Sequence, residues 1–200
     1  MCRSFALGDV AQSEQDAELM DRREFKSKVT VIDTISWGNG VNRWSFTDFA
    51  GDGNGFKLGG GNAGDIGAAN HNISNCIAFS NAAKGFTDNS QTGNFVMLRN
   101  TAYLNDDVGF NLKTAVTTLN NNIAASNKKS TTNSVQVSIS GTQSLSGNSW
   151  SASATWPDSA FKSVDVSLVK GKRAADGKIA ASNFLLPASG AAIGATTAWA

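Results

Sequence analysis

Short runs that alternate apolar and polar positions recur along the middle of the chain, and each stops at Asn or Gly. Four of them align without gaps: Val31 to Asn39, Ile73 to Asn81, Met97 to Asn105 and Leu119 to Asn127. The first column reads Val31, Ile73, Met97, Leu119; the fifth reads Ile35, Ile77, Thr101, Ile123. The seventh holds Trp37, Phe79, Tyr103 and Ala125, and the ninth is Asn throughout: Asn39, Asn81, Asn105 and Asn127. Successive offsets are 42, 24 and 22 residues (31 to 73, 73 to 97, 97 to 119), so the first step is expected to hold two turns. A period this short lies below the common helical repeats. The β-branched, aromatic and small residues, with stops at Asn and Gly, predict short strands joined by turns. Such units stack as a parallel β-helix, and the first and fifth columns are expected to line one continuous core. The Asn column is expected to form a ladder in which each amide bonds the next. Tolerance of left-handed turn geometry is the alternative reason for Asn there.

A second pattern is superimposed on the first. The pair Gly-Phe recurs as Gly55-Phe56-Lys57, Gly85-Phe86-Thr87 and Gly109-Phe110-Asn111. If these stack, Lys57 is the one rung where a cation replaces a small polar group. Three segments follow from the periodicity. Residues 1–28 are a charged, acidic loop region, 29–147 are the coils, and 148–200 are a tail that covers the outside or end of the stack. Val135 to Ile139 alternates and is expected to add a strand. The tail carries Trp150, Trp156, Phe161, Phe184, Leu185 and Leu186 and supplies the cover that an open solenoid end requires.

Composition narrows the function classes. The net charge is +1 and no basic block exists, so nothing favours nucleic acid. No segment approaches the ~18 consecutive apolar residues of a spanning helix, so no membrane partner is expected, and a monomer is. Cys2 and Cys76 form neither a metal spacing nor a disulfide framework; Cys76 reads as a small buried hydrophobe. Met1 to Phe5 lacks a signal peptide's pattern; the chain is not exported by a classical signal, or it is a fragment whose leader is lost.

The run Asp52-Gly53-Asn54-Gly55-Phe56-Lys57-Leu58-Gly59-Gly60 resembles the signature of the ninth family of polysaccharide lyases, the pectate lyase and exopolygalacturonate lyase group. The segments His71 to Asn81, Lys84 to Asn89, Asn100 to Asn105 and Gly171 to Gly177 followed by Asn183-Phe184-Leu185 are similar to later parts of the same family, so the likeness runs from about residue 28 to about 190. It implies a right-handed parallel β-helix, calcium, an extracellular setting and anti β-elimination on polygalacturonate. It assigns Lys57 the role of base. An ordinary lysine is protonated at neutral pH, and a neighbouring divalent cation or a low-polarity wall favours the neutral amine.

The resemblance breaks upstream. The family holds calcium with an aspartate cluster, and the corresponding place here reads Glu14-Gln15-Asp16-Ala17-Glu18-Leu19. Glu14, Asp16 and Glu18 are the expected ligands of an eroded site, short of the ~6–8 oxygens calcium takes; a solvated charged loop is the alternative. The family's first coils have no counterpart, so the helix is expected to be N-terminally truncated. Lys84 and Arg99 suit uronate carboxylates if they share the face of Lys57. His71, the lone histidine, opens a strand and is either structural or substrate-facing. Asp48, Asp52 and Asn54 fail the spacing of a calcium loop, and Asn72-Ile73-Ser74 is a glycosylation sequon at a strand start. Two functions result: a calcium-dependent pectate lyase using Lys57, or a catalytically silent β-helix remnant that binds acidic polysaccharide.

Overall fold

The computed structural model describes residues 6–7, 28–60, 67–152, 155–173, 175–177, 179–189, 191 and 193–197. The chain winds as β1 (Ala6–Leu7), β2 (Thr30–Ile32), β3 (Ile35–Trp37), β4 (Phe56–Lys57), β5 (His71–Ser74), β6 (Ile77–Phe79), β7 (Phe86–Thr87), β8 (Asn94–Leu98), β9 (Thr101–Tyr103), β10 (Phe110–Leu112), β11 (Val116–Asn120), β12 (Ile123–Ala125), β13 (Val137–Ile139) and β14 (Gln143–Ser146). Three sheets result. Sheet I is β2-β5-β8-β11-β14, sheet II is β1-β3-β6-β9-β12, and sheet III is β4-β7-β10-β13. Every pairing within them is parallel, which makes the architecture a parallel β-helix.

The predicted columns are true register partners: Val31 pairs with Ile73, Ile73 with Met97, and Met97 with Leu119; Ile35, Ile77, Thr101 and Ile123 pair in the same way. The 42-residue first step, however, is one circuit and not two, because Thr30 pairs directly with Asn72. The extra length lies in two connections on either side of β4, residues 38–55 and 58–70. Their described residues form no strand.

The two columns also face different cores. Ile73, Met97 and Leu119 point inside the coil with Leu58, Phe86, Phe110 and Leu112. Ile35, Ile77 and Ile123 point outward with Phe79 and Tyr103, under Phe161, Val169, Phe184 and Leu185 of the C-terminal segment. Alternation explains the split: Ala78, Ala102 and Ala124, next in sequence, take the inward positions of sheet II. The tail therefore covers the outside of sheet II. It is pinned there by Tyr103 Oη donating to Asp158 (2.8 Å), Ala195 N–H to Thr101 Oγ1 (2.8 Å) and Thr196 N–H to Asn75 Oδ1 (2.7 Å). Of the segment 135–139, only Val137–Ile139 is strand; Asn133–Val135 is a 3-10 turn.

Asn ladders bracket sheet II on both sides. After each sheet II strand, Asn81 Nδ2 donates to Asn105 Oδ1 (2.8 Å) and Asn105 Nδ2 to Asn127 Oδ1 (2.9 Å), and Gln136 Oε1 closes the row. Before β9 and β12, Asn100 Nδ2 donates to Asn122 Oδ1 (3.0 Å) and Asn122 Nδ2 to Asn148 Oδ1 (2.9 Å). The left-handed residues sit immediately before each ladder position: Gly38, Ser80, Leu104 and Ser126 on one side, Asp33, Asn75, Arg99, Asn121 and Gly147 on the other. The ladder Asn residues bond along the stack while their predecessors make the turn, so the ladder reading of the ninth column holds for Asn81, Asn105 and Asn127; the Asn39 amide instead donates to Ser36 Oγ (2.9 Å) and Asn54 O (2.9 Å), and only its backbone N–H reaches Asn81 Oδ1.

Candidate functional site

The close stacking of the coils, ladder included, explains the glycine of the Gly-Phe motif. A Cβ at Gly55 would stand 2.8 Å from Asn81 Nδ2, one at Gly85 3.0 Å from Asn105 Nδ2, and one at Gly109 2.7 Å from Asn127 Nδ2. None of the three has a positive φ, so crowding, and not turn geometry, requires glycine: the amide row, the inward Ala side chains of sheet II and, at Gly55 and Gly85, the next coil's carbonyl (Gly85 O at 2.5 Å and Gly109 O at 2.6 Å) leave no room for a Cβ. The phenylalanine that follows turns inward. Phe56, Phe86 and Phe110 stack with centroids 4.7 and 4.9 Å apart, and Trp150 continues the row at 5.1 Å. The next residue turns outward on sheet III. Lys57 pairs with Thr87, Thr87 with Asn111, and Asn111 with Ser138, so the three motif copies are equivalent rungs.

Lys57 is therefore the cation of an otherwise neutral outward column on sheet III. Its side chain is 27 % exposed, and Nζ lies 3.2 Å from Asp52 Oδ2. Both ends of its short strand are held by the following coil: Phe56 N–H donates to Gly85 O (2.8 Å), Leu58 N–H to Thr87 O (2.9 Å), and Asn89 Nδ2 to Gly59 O (2.7 Å). Asp52 was outside the expected site; its place five residues before Lys57 on a glycine-rich connection is the signal that pointed to it.

The remaining predicted residues disperse. Lys84 lies at the corner before β7, where its backbone N–H faces Asn54 Oδ1 (3.4 Å) and its Nζ is 3.6 Å from Asp107; Lys128 Nζ reaches the same carboxylate at 3.3 Å. Burial pushes the Asp107 carboxyl up, but the Val108 N–H and the Lys128 and Lys84 charges outweigh it and hold it below the usual range. Arg99 occupies the left-handed turn between β8 and β9, the corner joining sheets I and II, so the structure does not bring it to sheet III. His71 is 3 % exposed, against the Phe95 ring at 5.0 Å, with Nδ1 accepting from Val29 N–H (3.2 Å). The substrate-facing role for it is thereby corrected: its position in β5 is the inward one. Burial lowers its pKa, opposed by a hydrogen bond to the Leu58 backbone. Cys76 is buried, and burial drives its thiol up to about 12.

Glu14, Asp16 and Glu18 lie outside the described residues. Among the described residues no group of three His, Cys, Asp or Glu side chains could hold a metal ion, so the described part of the site does not fit a calcium cage. Among the same residues no helix is long and apolar enough to cross a membrane.

Parallel three-sheet coils with ladders at their corners and a lysine on an open rung define a class of protein, and comparison with known proteins identifies it. The chain belongs to the Pel9A-like right-handed β-helix family, which matches residues 19–133. It is 63 % identical over 177 residues to "Pectate lyase PEL9" of Emericella nidulans, covering 88 % of this chain and 42 % of that protein. "Pectate lyase L" of Dickeya dadantii is 33 % identical over 189 residues, covering 92 % of this chain and 41 % of the relative. The crystal structure of pectate lyase Pel9A superposes with a TM-score of 0.65 at 30 % identity, over 84 % of this chain and 40 % of that one. The chain thus spans about two fifths of the length of the curated relatives it matches.

Proposed function

We propose that this chain carries the catalytic coils of a calcium-dependent pectate lyase that acts on polygalacturonate in an extracellular setting. The observation that carries the reading is Lys57 as the cation of the outward sheet III column, inside a family whose named relatives are pectate lyases. Lys57 Nζ takes the proton from C5 of a galacturonate unit. The C5–H electrons form the C4–C5 double bond, the bond from C4 to the glycosidic oxygen breaks on the opposite face, and solvent protonates the leaving oxygen. An ammonium cannot accept a proton, so Lys57 acts as the neutral amine, freed from Asp52. Lys84 exchanges Asp107 for a substrate carboxylate. Glu14, Asp16 and Glu18 are the acids that would hold calcium, which would neutralise the substrate carboxylate.

Incubation with polygalacturonate and calcium at alkaline pH is expected to release unsaturated product absorbing in the ultraviolet. Lys57→Ala abolishes it, and Lys57→Arg does too because guanidinium stays protonated. Full activity in Lys57→Ala overturns the assignment. The second reading, a silent β-helix that binds acidic polysaccharide, is favoured by the absence of an acid cluster among the described residues. Calcium titration by calorimetry separates the two: a micromolar site sinks the silent reading, and no site at millimolar calcium supports it.

A further inference from the structure

The connection between β3 and β4 holds large apolar side chains out in solvent. Trp44 is 51 % exposed, Phe46 61 % and Phe49 41 %, and these are the exposed aromatic side chains among the described residues. Scattered exposed apolar residues need no explanation, but aromatics clustered within six residues beside charged groups do.

The loop is built to present them. Asn42 closes its tip with two bonds, Nδ2 donating to Phe46 O (2.7 Å) and Oδ1 accepting from Phe46 N–H (3.0 Å). Arg43 lies 4.3 Å over the Trp37 ring, in space that exists because Gly38 has no side chain. Trp44 and Phe46 stand with centroids 6.5 Å apart. At the other end the loop runs into the candidate site. The Phe49 ring lies on Gly51, where a Cβ would be 2.6 Å from Cζ, and the next residue is Asp52, the partner of Lys57. The aromatic surface and the amine are thus two ends of one stretch of backbone.

We propose that Phe49, with Trp44 and Phe46 beyond it, is a sugar-stacking platform for pyranose units of an acidic polysaccharide, flanking Lys57. A pyranose offers an apolar C–H face to an aromatic ring and a carboxylate at its edge, and Lys57, reached from Phe49 through Gly51 and Asp52, supplies a cation for it. The inference takes its substrate class from the proposed function, and it is tested by binding without turnover. Polygalacturonate affinity is measured by calorimetry on the Lys57→Ala protein, with thermal melting as a folding control. Adding Phe49→Ala and Trp44→Ala is expected to raise the dissociation constant about tenfold, one decade for each ~1.4 kcal/mol lost. Phe49→Trp is expected to keep the affinity. An affinity within twofold of the parent overturns the platform. So does a dimer that Trp44→Ala and Phe46→Ala dissolve while affinity stays constant, because the patch then joins two copies. If Lys57→Ala proves active but the aromatic variants still lose affinity, the base assignment falls and the platform stands.

Discussion

Sheet II and sheet III are stacked by the same parallel pairing, yet they are finished differently. Sheet II is fixed on three sides: an Asn ladder before its later strands, another after its strands, and the tail across its outer face. Sheet III presents its outward column, Lys57, Thr87, Asn111 and Ser138, and the connections on either side of its first strand are long. The fold concentrates its hydrogen bonding and its second core on one side, leaving the other free to vary one residue per rung. Lys57 stands half-buried at the first rung of this column, beside Asp52, while Thr87 on the next rung is buried.

Substitutions that attack sheet II should have the largest effect. Ile77→Asp puts an unpaired charge under the tail and is expected to cost about 4 kcal/mol or more, seen as loss of a cooperative denaturant transition. Asn105→Ala removes the central ladder amide, so Asn81 Nδ2 keeps only the long bond to Ser36 O (3.4 Å) and the Ala78 carbonyl loses the Asn105 Nδ2 donor; about 3 kcal/mol of destabilisation by urea unfolding is expected. Asn111→Ala on sheet III is the matched control and is expected to fall within ~0.5 kcal/mol. Equal losses at Asn105 and Asn111 would erase the contrast between the sheets.

The pH dependence should report the coil interior. His71 is buried with its pKa lowered, so the unfolded chain binds a proton at a pH where the folded chain does not. Stability contributed by neutral His71 is therefore complete above its unfolded value, ~6.5, and is lost as pH falls below it toward the folded value. His71→Phe should flatten that part of the curve of urea midpoint against pH. A smaller gain is expected at Cys76, which occupies the ladder position of Asn100 and Asn122. Its Sγ sits 3.7 Å from Val31 O, where an Asn amide would donate, and Cys76→Asn should stabilise by about 1 kcal/mol. Lys57→Ala should likewise have little effect on stability: an ion pair with an exposed partner contributes about 0–1 kcal/mol, so its melting temperature should barely move.

Much of this was legible in the chain. The gapless columns predicted the register, and the Asn column predicted one ladder. The second ladder was equally present as Asn100 and Asn105, then Asn122 and Asn127, but Thr34 and Cys76 break its column in the first two coils and hid it. The inward or outward sense of each column was not readable, because sheet II is buried on both faces and alternation there separates two kinds of apolar residue instead of apolar from polar. The first circuit was misjudged because length was counted as turns, whereas loops lengthen freely between fixed strands. At the site, motif position identified Lys57 and its equivalents, while Arg99 and His71 were drawn in by residue type; their corner and inward positions depend on which sheet each strand joins.

The ladders give the solenoid a direction. From Asn81 on, each amide receives at Oδ1 from the rung before and donates through Nδ2 to the rung after, so the side-chain dipoles of the row point the same way along the axis. Backbone dipoles in a sheet largely cancel, but these rows add, and polarisation strengthens each successive bond. The stack therefore has an acceptor end at its first rung and a donor end at its last, where Gln136 Nε2 spends its hydrogens on Ser130 O and Thr132 O. A further rung can be joined only with its amides in the matching sense, which makes growth of the stack a vectorial process.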